Sequence, residues 1–317
     1  MIKKECFTAE WIEQVSSELH YNDKNLIEKV IRALSLLEML VKAGCPLVFK
    51  GGTALMLILG KSAHRLSIDI DLICPPGTNI EDYLKSFADF GFINLELVER
   101  KQRDDADIPK SHSKFFYQIA YRNDTDAQSY ILLDVLYEDI HYFRTQQIAI
   151  NCPFIRLEGK PLMVTVPSAE DILGDKLTAF APNTTGIPYY RNGRSCSMEI
   201  AKQLYDVGRL FENVSDLQIT KEAFRKIAVV ELSYRSFGTD IGQVFNDIRQ
   251  TALCISTRGK AGEGDFDLIQ DGIIRVKSFM YKQRYLIDHA IIDAARAAYL
   301  ATLIEKGINE IESYSNN

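Results

Sequence analysis

The sequence predicts an α+β protein whose first part combines helices with a sheet and whose second part is all-α. Between residues 47 and 166, short apolar segments recur between turn residues, which is typical of strands. After Pro167 the apolar residues recur at helical spacing almost to the end of the chain. We therefore expect a domain boundary near residue 165, with one domain at 1–165 and a helical domain at 166–317.

Composition and charge narrow the possible classes of protein. The 317 residues are 46% hydrophobic and 25% charged, ordinary globular values that exclude disordered, collagen-like and low-complexity chains. The net charge of -6 excludes a global basic field for nucleic acid or acidic lipid, but it allows a local basic cleft. The six cysteines form no CxxC pair, which argues against a zinc ribbon. The N-terminal segment does not resemble a signal peptide, and no apolar run approaches membrane-spanning length. We therefore expect a cytoplasmic protein without membrane contact.

Two helices are expected in the N-terminal region, within residues 8–43. Asn22 or Asp23 can cap the second helix, and Gly44 suits the position just after its end. A short apolar strand, a helix after two glycines and an alternating strand should follow, at 47–49, 53–59 and 66–73.

The remaining elements change from strands to helices along the chain. A helix at 80–90 should end at Gly91. The expected strands then lie at 92–99, 115–121, 130–137, 148–155 and 162–166. The expected helices lie at 168–180, 197–212, 219–233, 239–255, 265–283 and 285–313. A Pro- and Gly-rich segment at 182–195 interrupts them, and two interpretations are open for it: an exposed loop or a substrate-facing loop.

Two carboxylates mark the predicted strand at 66–73. Asp69 and Asp71 alternate with apolar residues, so both should lie on one face with Cα atoms about 6.5–7 Å apart. Carboxylates that face the same way repel each other, and a divalent cation would relieve that repulsion. Mg²⁺, or Mn²⁺, is the expected ion, because such ions join carboxylates to substrate phosphates. The pair therefore predicts metal-assisted chemistry on a phosphate.

A glycine turn precedes the carboxylate pair. Gly51 and Gly52 lead from a strand into a helix, where the main chain can approach a ligand closely and free N–H groups bind an anion. The hydroxyl of Thr53 can add a hydrogen bond. A phosphate-binding turn beside metal-binding carboxylates predicts a nucleoside triphosphate site. The alternative is a structural turn beside a polar strand face.

A third carboxylate should come from a neighbouring strand. Asp134 is the lone charge in the apolar segment 130–137 (YILLDVLY), where an isolated charge is costly unless it is paired or bound to a metal. We expect Asp134 to complete the metal site of Asp69 and Asp71 or to activate an acceptor hydroxyl. A core aspartate with satisfied hydrogen bonds is the alternative.

Residues 50–55 (KGGTAL) and 65–72 (RLSIDIDL) resemble the first two motifs of the AbiEii/AbiGii abortive-infection toxins, a nucleotidyltransferase family. The third motif of that family is a helix with a lysine, which residues 168–180 resemble. The fourth motif is a helix that residues 201–207 (AKQLYDV) resemble. The order of the four motifs makes the resemblance specific between residues 50 and 210.

The resemblance implies a minimal polymerase-β-like core with a mixed sheet, followed by a helical half that completes the active site. It carries the role of the third-motif lysine to Lys176, beside the triphosphate. In the fourth motif it matches Lys202 and Asp206, and it departs at Gln203, where many relatives have Asp. The implied nucleotide-binding residues are Gly51, Gly52, Thr53 and Lys176. The implied catalytic residues are Asp69, Asp71, Asp134, Lys176 and Asp206.

Plainer interpretations of the same residues stay open. Lys176 edges an apolar helix face, where a lysine commonly extends its ammonium group to water. Lys202 and Asp206 are four residues apart, a spacing that also permits a surface ion pair. Arg65 could contact a phosphate or form a structural ion pair.

The predicted function is a metal-dependent nucleotidyltransferase that transfers a nucleoside monophosphate to an acceptor, with RNA or tRNA as a candidate. The resemblance further implies the toxin of a toxin–antitoxin or phage-defence pair, with a cognate antitoxin encoded nearby. One alternative is a nucleotide-binding interaction protein whose catalysis has decayed, which Gln203 favours. Another is a small-molecule nucleotidyltransferase of the antibiotic-modifying kind.

Overall fold

The computed structural model describes residues 1–98, 110–121, 127–214, 216–235, 238 and 240–311. The chain begins with helices α1 (Ala9–Glu18) and α2 (Lys24–Lys42). The side chains of Thr8 and Asp23 cap them by accepting hydrogen bonds from main-chain N–H groups. Helix α2 is buried along most of its length, and its side chains pack in one hydrophobic cluster with those of the sheet.

A mixed five-stranded sheet lies against α2 within the described part of the chain. Its strands, in spatial order, are β1 (Val48–Lys50), β2 (Ile70–Cys74), β5 (Gln128–Tyr137), β4 (Lys110–Gln118) and β3 (Asn94–Val98). Strands β2 and β5 are parallel and the other pairs are antiparallel. Alternate residues of β5 are buried, including Ile131, Leu133 and Val135, so the intervening positions lie on the open face.

Helix α3 (Gly51–Leu59) connects β1 to the segment before β2. A second pair of strands, β6 (Thr145–Ala149) and β7 (Met163–Pro167), leads into the helical half of the chain. That half contains α4 (Ala169–Ala179), α5 (Ser197–Phe211), α6 (Leu217–Tyr234), α7 (Ile241–Ser256), α8 (Phe266–Val276) and α9 (Ile287–Lys306). The structure confirms the predicted α+β class with a helical C-terminal part. None of the helices in the described ranges is long and apolar enough to cross a membrane.

Two large hydrophobic clusters contain most of the core in the described part of the chain, and they meet near the predicted boundary at residue 165. One is built mainly from residues 2–166 and the other mainly from residues 172–304. Leu55 of α3 belongs to the helical cluster, and Tyr281 belongs to the cluster of the sheet. Since these side chains cross the boundary, we keep 1–165 and 166–317 as a proposed division into domains that share a packed interface.

Several predicted elements differ from the structure. The helix expected at 80–90 is wrong: two separate 3₁₀ turns, Ile80–Tyr83 and Phe87–Phe90, stand in its place. The strand expected at 148–155 occupies Thr145–Ala149, and the helix expected at 265–283 ends at Val276. The segment expected as a loop at 182–195 ends in a short hairpin, β8 (Tyr190–Arg191) and β9 (Arg194–Ser195).

A further difference concerns the strand expected at 66–73, which begins only at Ile70. The main chain before it pairs with the C-terminal half instead of the sheet. Leu66 N–H donates to Phe279 O at 2.8 Å, and Arg65 forms a bridge with Met280. Asp69 therefore lies just ahead of β2. The expected element ends at Glu99, Thr239 and Ser313 lie outside the described residues.

Candidate active site

A row of polar side chains crosses the open face of the sheet. In the strand register, Lys50 of β1 lies opposite Asp71 of β2, Asp71 opposite Asp134 of β5, and Asp134 opposite His112 of β4. Residues directly opposite each other point to the same face of a sheet, so these four side chains form one line. The structure thus brings Asp71 and Asp134 together as neighbours, as the sequence predicts. It adds the ammonium group of Lys50 at one end of the line and the imidazole of His112 at the other.

The glycine turn lies directly against this row. Gly51 has a positive φ of 80°, and a Cβ added there would lie 2.0 Å from Oδ2 of Asp71. A Cβ added to Gly52 would lie 2.6 Å from Oγ of Ser67. The first N–H groups of α3 receive no side-chain cap from Lys50. The turn therefore offers main-chain donors at a helix N-terminus next to a carboxylate, an arrangement that suits a metal-bound phosphate.

Thr53 binds the main chain of the segment that carries Asp69. Its hydroxyl is buried and donates to the carbonyl oxygen of Asp69 at 2.7 Å. That hydrogen bond ties the segment before β2 to the start of α3 and so positions Asp69 beside the turn. The hydroxyl proton that the sequence offers to a phosphate is engaged in this contact instead.

Gly51→Ala is expected to reduce nucleotidyl transfer by about a hundredfold or more, because the methyl group must displace the carboxylate of Asp71, and a small misplacement in a site can have such an effect. The positive φ adds backbone strain. Steady-state transfer assays measure the effect. Gly44→Ala is the control, since Gly44 also has a positive φ but no atom lies within 4 Å of its added Cβ. Equal activity of the two variants would contradict the close approach at Gly51.

The carboxylates destabilise one another's charged forms. Desolvation in the cleft, followed by the charges of Asp69 and Asp134, raises the pKa of Asp71 to about 7. Desolvation also raises the pKa of Asp69, despite the opposing charge of Lys202, although part of this residue is exposed. Oxygen donors that repel one another in a cleft fit a divalent cation, which would neutralise them.

Asp134 has a second partner besides the carboxylates. Its Oδ1 shares a hydrogen bond with Nδ1 of His112, whose ring is largely buried. Within the described ranges, no three side chains of His, Cys, Asp or Glu form a ready cluster for a metal ion. Asp69, Asp71 and Asp134 thus lie within electrostatic range of each other without converging on one point.

The helical half contributes a buried ion cluster beside the sheet. Asp206 of α5 accepts hydrogen bonds from Nε and Nη2 of Arg65 at 3.1 and 2.8 Å, and its Oδ2 lies 3.1 Å from Nζ of Lys176. Burial would raise the pKa of Asp206, but the charges of Arg65 and Lys176 outweigh it and lower the pKa. The structure thus favours the structural ion pair for Arg65 over the phosphate contact.

Lys176 is buried, so the interpretation that its ammonium group extends to water is wrong. Only 6% of the residue is exposed, and Nζ also donates to Oε1 of Gln203 at 3.0 Å. Gln203, the position at which the sequence departs from the fourth motif, is therefore a direct hydrogen-bond partner of this lysine. Asp206 pairs with Lys176 and Arg65 instead of forming the surface pair with Lys202.

Lys176→Met is expected to lower the free energy of unfolding by about 1–3 kcal/mol, because the buried ion cluster loses one of its two cations and Gln203 loses its donor. The loss is partial, since Arg65 still pairs with Asp206. Equilibrium denaturation in urea measures the change, with exposed Lys85→Met as the control. An unchanged transition midpoint would show that the cluster does not need this lysine.

Several residues around the site were not predicted from the sequence. Lys50 lies 3.9 Å from Oδ2 of Asp175, and the hydroxyl of Tyr142 donates to the same oxygen at 2.8 Å. Burial lowers the pKa of Lys50, but the charges of Asp175, Glu138 and Asp71 outweigh it and raise the pKa. His112 was also missed, because its link to Asp134 depends on strand register. For Lys50, the sequence offered one indication of a role in the site, namely its position directly before the two glycines.

Comparisons with known proteins complete the description. A family model described as "Nucleotidyl transferase AbiEii toxin, Type IV TA system" matches residues 34–289. A search of curated proteins found no match. Among solved structures, the chain is similar to MenT4, a nucleotidyltransferase toxin from Mycobacterium tuberculosis H37Rv. That alignment has a TM-score of 0.52 and 11% identity, and it covers 93% of this chain and 89% of that one. JHP933 from Helicobacter pylori is similar with a TM-score of 0.46 and 17% identity over 89% and 94% of the two chains.

The likeness to MenT4, at this identity, concerns the fold alone. The match to the family model supports more than a shared fold, because it extends from within α2 to the start of α9. It therefore includes the sheet, the glycine turn and the ion cluster around Asp206. The chain belongs to the AbiEii family of nucleotidyltransferase toxins.

Proposed function

We propose that this toxin transfers a nucleoside monophosphate from a nucleoside triphosphate to an acceptor hydroxyl with the help of a divalent cation. The observation that supports this most directly is the contact between Gly51 and Asp71: an uncapped helix start and a carboxylate row meet at one point of the open sheet face. Main-chain donors for phosphate and oxygen ligands for a cation are both needed for such a transfer, and here they are adjacent.

In the proposed reaction, the triphosphate lies on the N–H groups of Gly51, Gly52 and Thr53. Asp69 and Asp71 would hold the cation, and Asp134, opposite Asp71 on the neighbouring strand, would complete the metal site or act as the base. A bound Mg²⁺ or Mn²⁺ would supply charge neutralisation at the phosphates. Lys176 and Asp206 belong to the site through the buried cluster that holds the helical half against the sheet.

Bond making and breaking follow from this arrangement. The acceptor oxygen attacks the α-phosphorus, the bond from the α-phosphorus to the bridging oxygen breaks, and pyrophosphate leaves. In the role of general base, Asp134 takes the proton of the acceptor hydroxyl, and the same carboxylate shares a hydrogen bond with His112. Asp134 therefore has two candidate roles, cation ligand and general base, and both use the same open face of the sheet.

We further propose RNA, with tRNA as the leading member of that class, as the acceptor. The family description names a type IV toxin–antitoxin system, so we also propose a cognate antitoxin encoded beside this chain and a role in phage defence inside the bacterial cytoplasm. The net charge of -6 means that an RNA would have to be bound through local basic groups.

The test incubates the protein with each of four labelled nucleoside triphosphates and total RNA, with Mg²⁺ or with a chelator. The proposal expects label in RNA from at least one nucleotide, and loss of that label with the chelator. Transfer to a small-molecule antibiotic in place of RNA would favour the antibiotic-modifying alternative. Absence of transfer to either acceptor, by protein shown to be folded, would contradict the proposed reaction.

A further inference from the structure

Three cations approach the site from the helical half and the segment before β2, and they differ in how they are paired. Arg65 donates to both carboxylate oxygens of Asp206. Lys176 is held by the same carboxylate and by Gln203. Among the residues that the structure describes, Lys202 has no carboxylate within 4.0 Å and no hydrogen bond. Its direct partner is the ring of Phe279, with Nζ 3.7 Å from the ring centroid.

The surroundings of Lys202 make an unpaired ammonium group unfavourable. Desolvation, followed by the charge of Arg65, lowers the pKa of Lys202 to about 8. The carboxylates of Asp69, Glu199 and Asp206 oppose this shift only in part. Phe279 is held in place through its carbonyl oxygen, which accepts from Leu66 N–H. The side chain is thus a half-buried cation on a fixed aromatic support, and a bound anion would stabilise it.

The position of Lys202 identifies which anion it can reach. The ammonium group interacts electrostatically with Asp69. The main-chain carbonyl oxygen of Asp69 accepts a hydrogen bond from Thr53, which follows the two glycines of the turn. It also interacts with Arg65, whose Nη2 lies 3.0 Å from the position of a Cβ on Gly52. Because Phe279 is hydrogen-bonded to Leu66, the neighbour of Arg65, these contacts place Lys202 on the side of the site that holds the glycine turn and Asp69.

We propose that Lys202 binds the pyrophosphate end of the triphosphate, the leaving group of the transfer. This inference rests on the proposed function, since it assumes that a triphosphate occupies the glycine turn. It assigns phosphate binding to the unpaired lysine of α5, while Lys176 serves the buried cluster with Asp206. The ammonium group neutralises negative charge that accumulates on the leaving oxygen as the bond to the α-phosphorus breaks.

The experiment measures binding and turnover separately. Calorimetry with Mg²⁺ determines the affinities for inorganic pyrophosphate and for a non-hydrolysable triphosphate in the wild type, Lys202→Met, Lys202→Gln and Lys42→Met. Lys42 is the matched control, because its Nζ also lies over a phenylalanine ring, 5.7 Å from the centroid of Phe90, but on the exposed end of α2. Thermal melts establish that each variant is folded.

We expect Lys202→Met and Lys202→Gln to lose affinity for pyrophosphate by about tenfold to a hundredfold, the usual size of a charge-assisted contact. Turnover should fall as well, while Lys42→Met should match the wild type in both measurements. Wild-type affinity for pyrophosphate in both Lys202 variants would overturn the inference and leave the proposed function intact. A wild type that binds neither pyrophosphate nor triphosphate would overturn the proposed function itself.

Discussion

Asp71→Asn is expected to lower nucleotidyl transfer by about a hundredfold to a thousandfold, the loss usual when a group that stabilises transition-state charge is removed. The amide has nearly the shape of the carboxylate, so the contact with Gly51 is kept while the charge is lost. Because Asp71 lies between Lys50 and Asp134 in the strand register, the variant removes the centre of the polar row. A cation would then be held by Asp69 and Asp134 alone.

The same substitution should stabilise the metal-free protein at alkaline pH. The pKa of Asp71 is raised from 3.8 to about 7, so between these values the folded state binds more protons than the unfolded state. The stability that comes from this proton is fully present below pH 3.8 and is lost as the pH rises through about 7. At pH 8 the wild type therefore contains a destabilising charge that the asparagine variant lacks.

Thermal melts in chelator at pH 5 and pH 8, together with transfer assays in Mg²⁺, measure both effects. The difference in melting temperature between Asp71→Asn and the wild type should be positive at pH 8 and smaller at pH 5. Asp267→Asn is the control, because this aspartate belongs to another Asp-x-Asp sequence and lies exposed in the first turn of α8. Full activity of Asp71→Asn, or a lower melting temperature at pH 8, would contradict the account of the carboxylate row.

Asp206→Ala is expected to lower the free energy of unfolding by about 3–5 kcal/mol, because it leaves Arg65 and Lys176 buried without their shared counter-charge. Only 2% of Asp206 is exposed, so water cannot readily replace the carboxylate. The same change should abolish transfer, since the cluster connects α5 and α4 to the segment that precedes Asp69. The expected result is therefore a simultaneous loss of stability and activity.

Denaturant titrations distinguish this buried cluster from an ordinary surface pair. Asp288→Ala is the control, because its ion pair with Arg258 is 3.0 Å long but mostly exposed and should contribute little. In the double variant Arg65→Met with Asp206→Leu, part of the stability should return, since apolar groups can replace a buried ion pair. A loss in Asp206→Ala no larger than that in Asp288→Ala would contradict the buried cluster.

Much of the fold is determined by local patterns that a sequence displays. Asp23 caps α2 at the predicted position, and Asp265 caps α8, because short polar side chains satisfy the free N–H groups of a helix start. The parallel pairing of β2 and β5 brings Asp71 opposite Asp134, as the lone charge in an apolar strand suggests. The prediction of a helix at 80–90 was wrong, because two separate 3₁₀ turns produce the same spacing of apolar residues.

The α+β class, the glycine turn, the two neighbouring carboxylates and the family motifs could be predicted, since each depends on residues close together in the chain. Which charges meet depends on the tertiary structure. Arg65 and Asp206 are 141 residues apart and form a bidentate pair, and Lys202, one residue from Gln203, is left with an aromatic ring as its partner. Periodicity places a side chain on a face of its own element, whereas its partner depends on strand register and on the packing of two hydrophobic clusters.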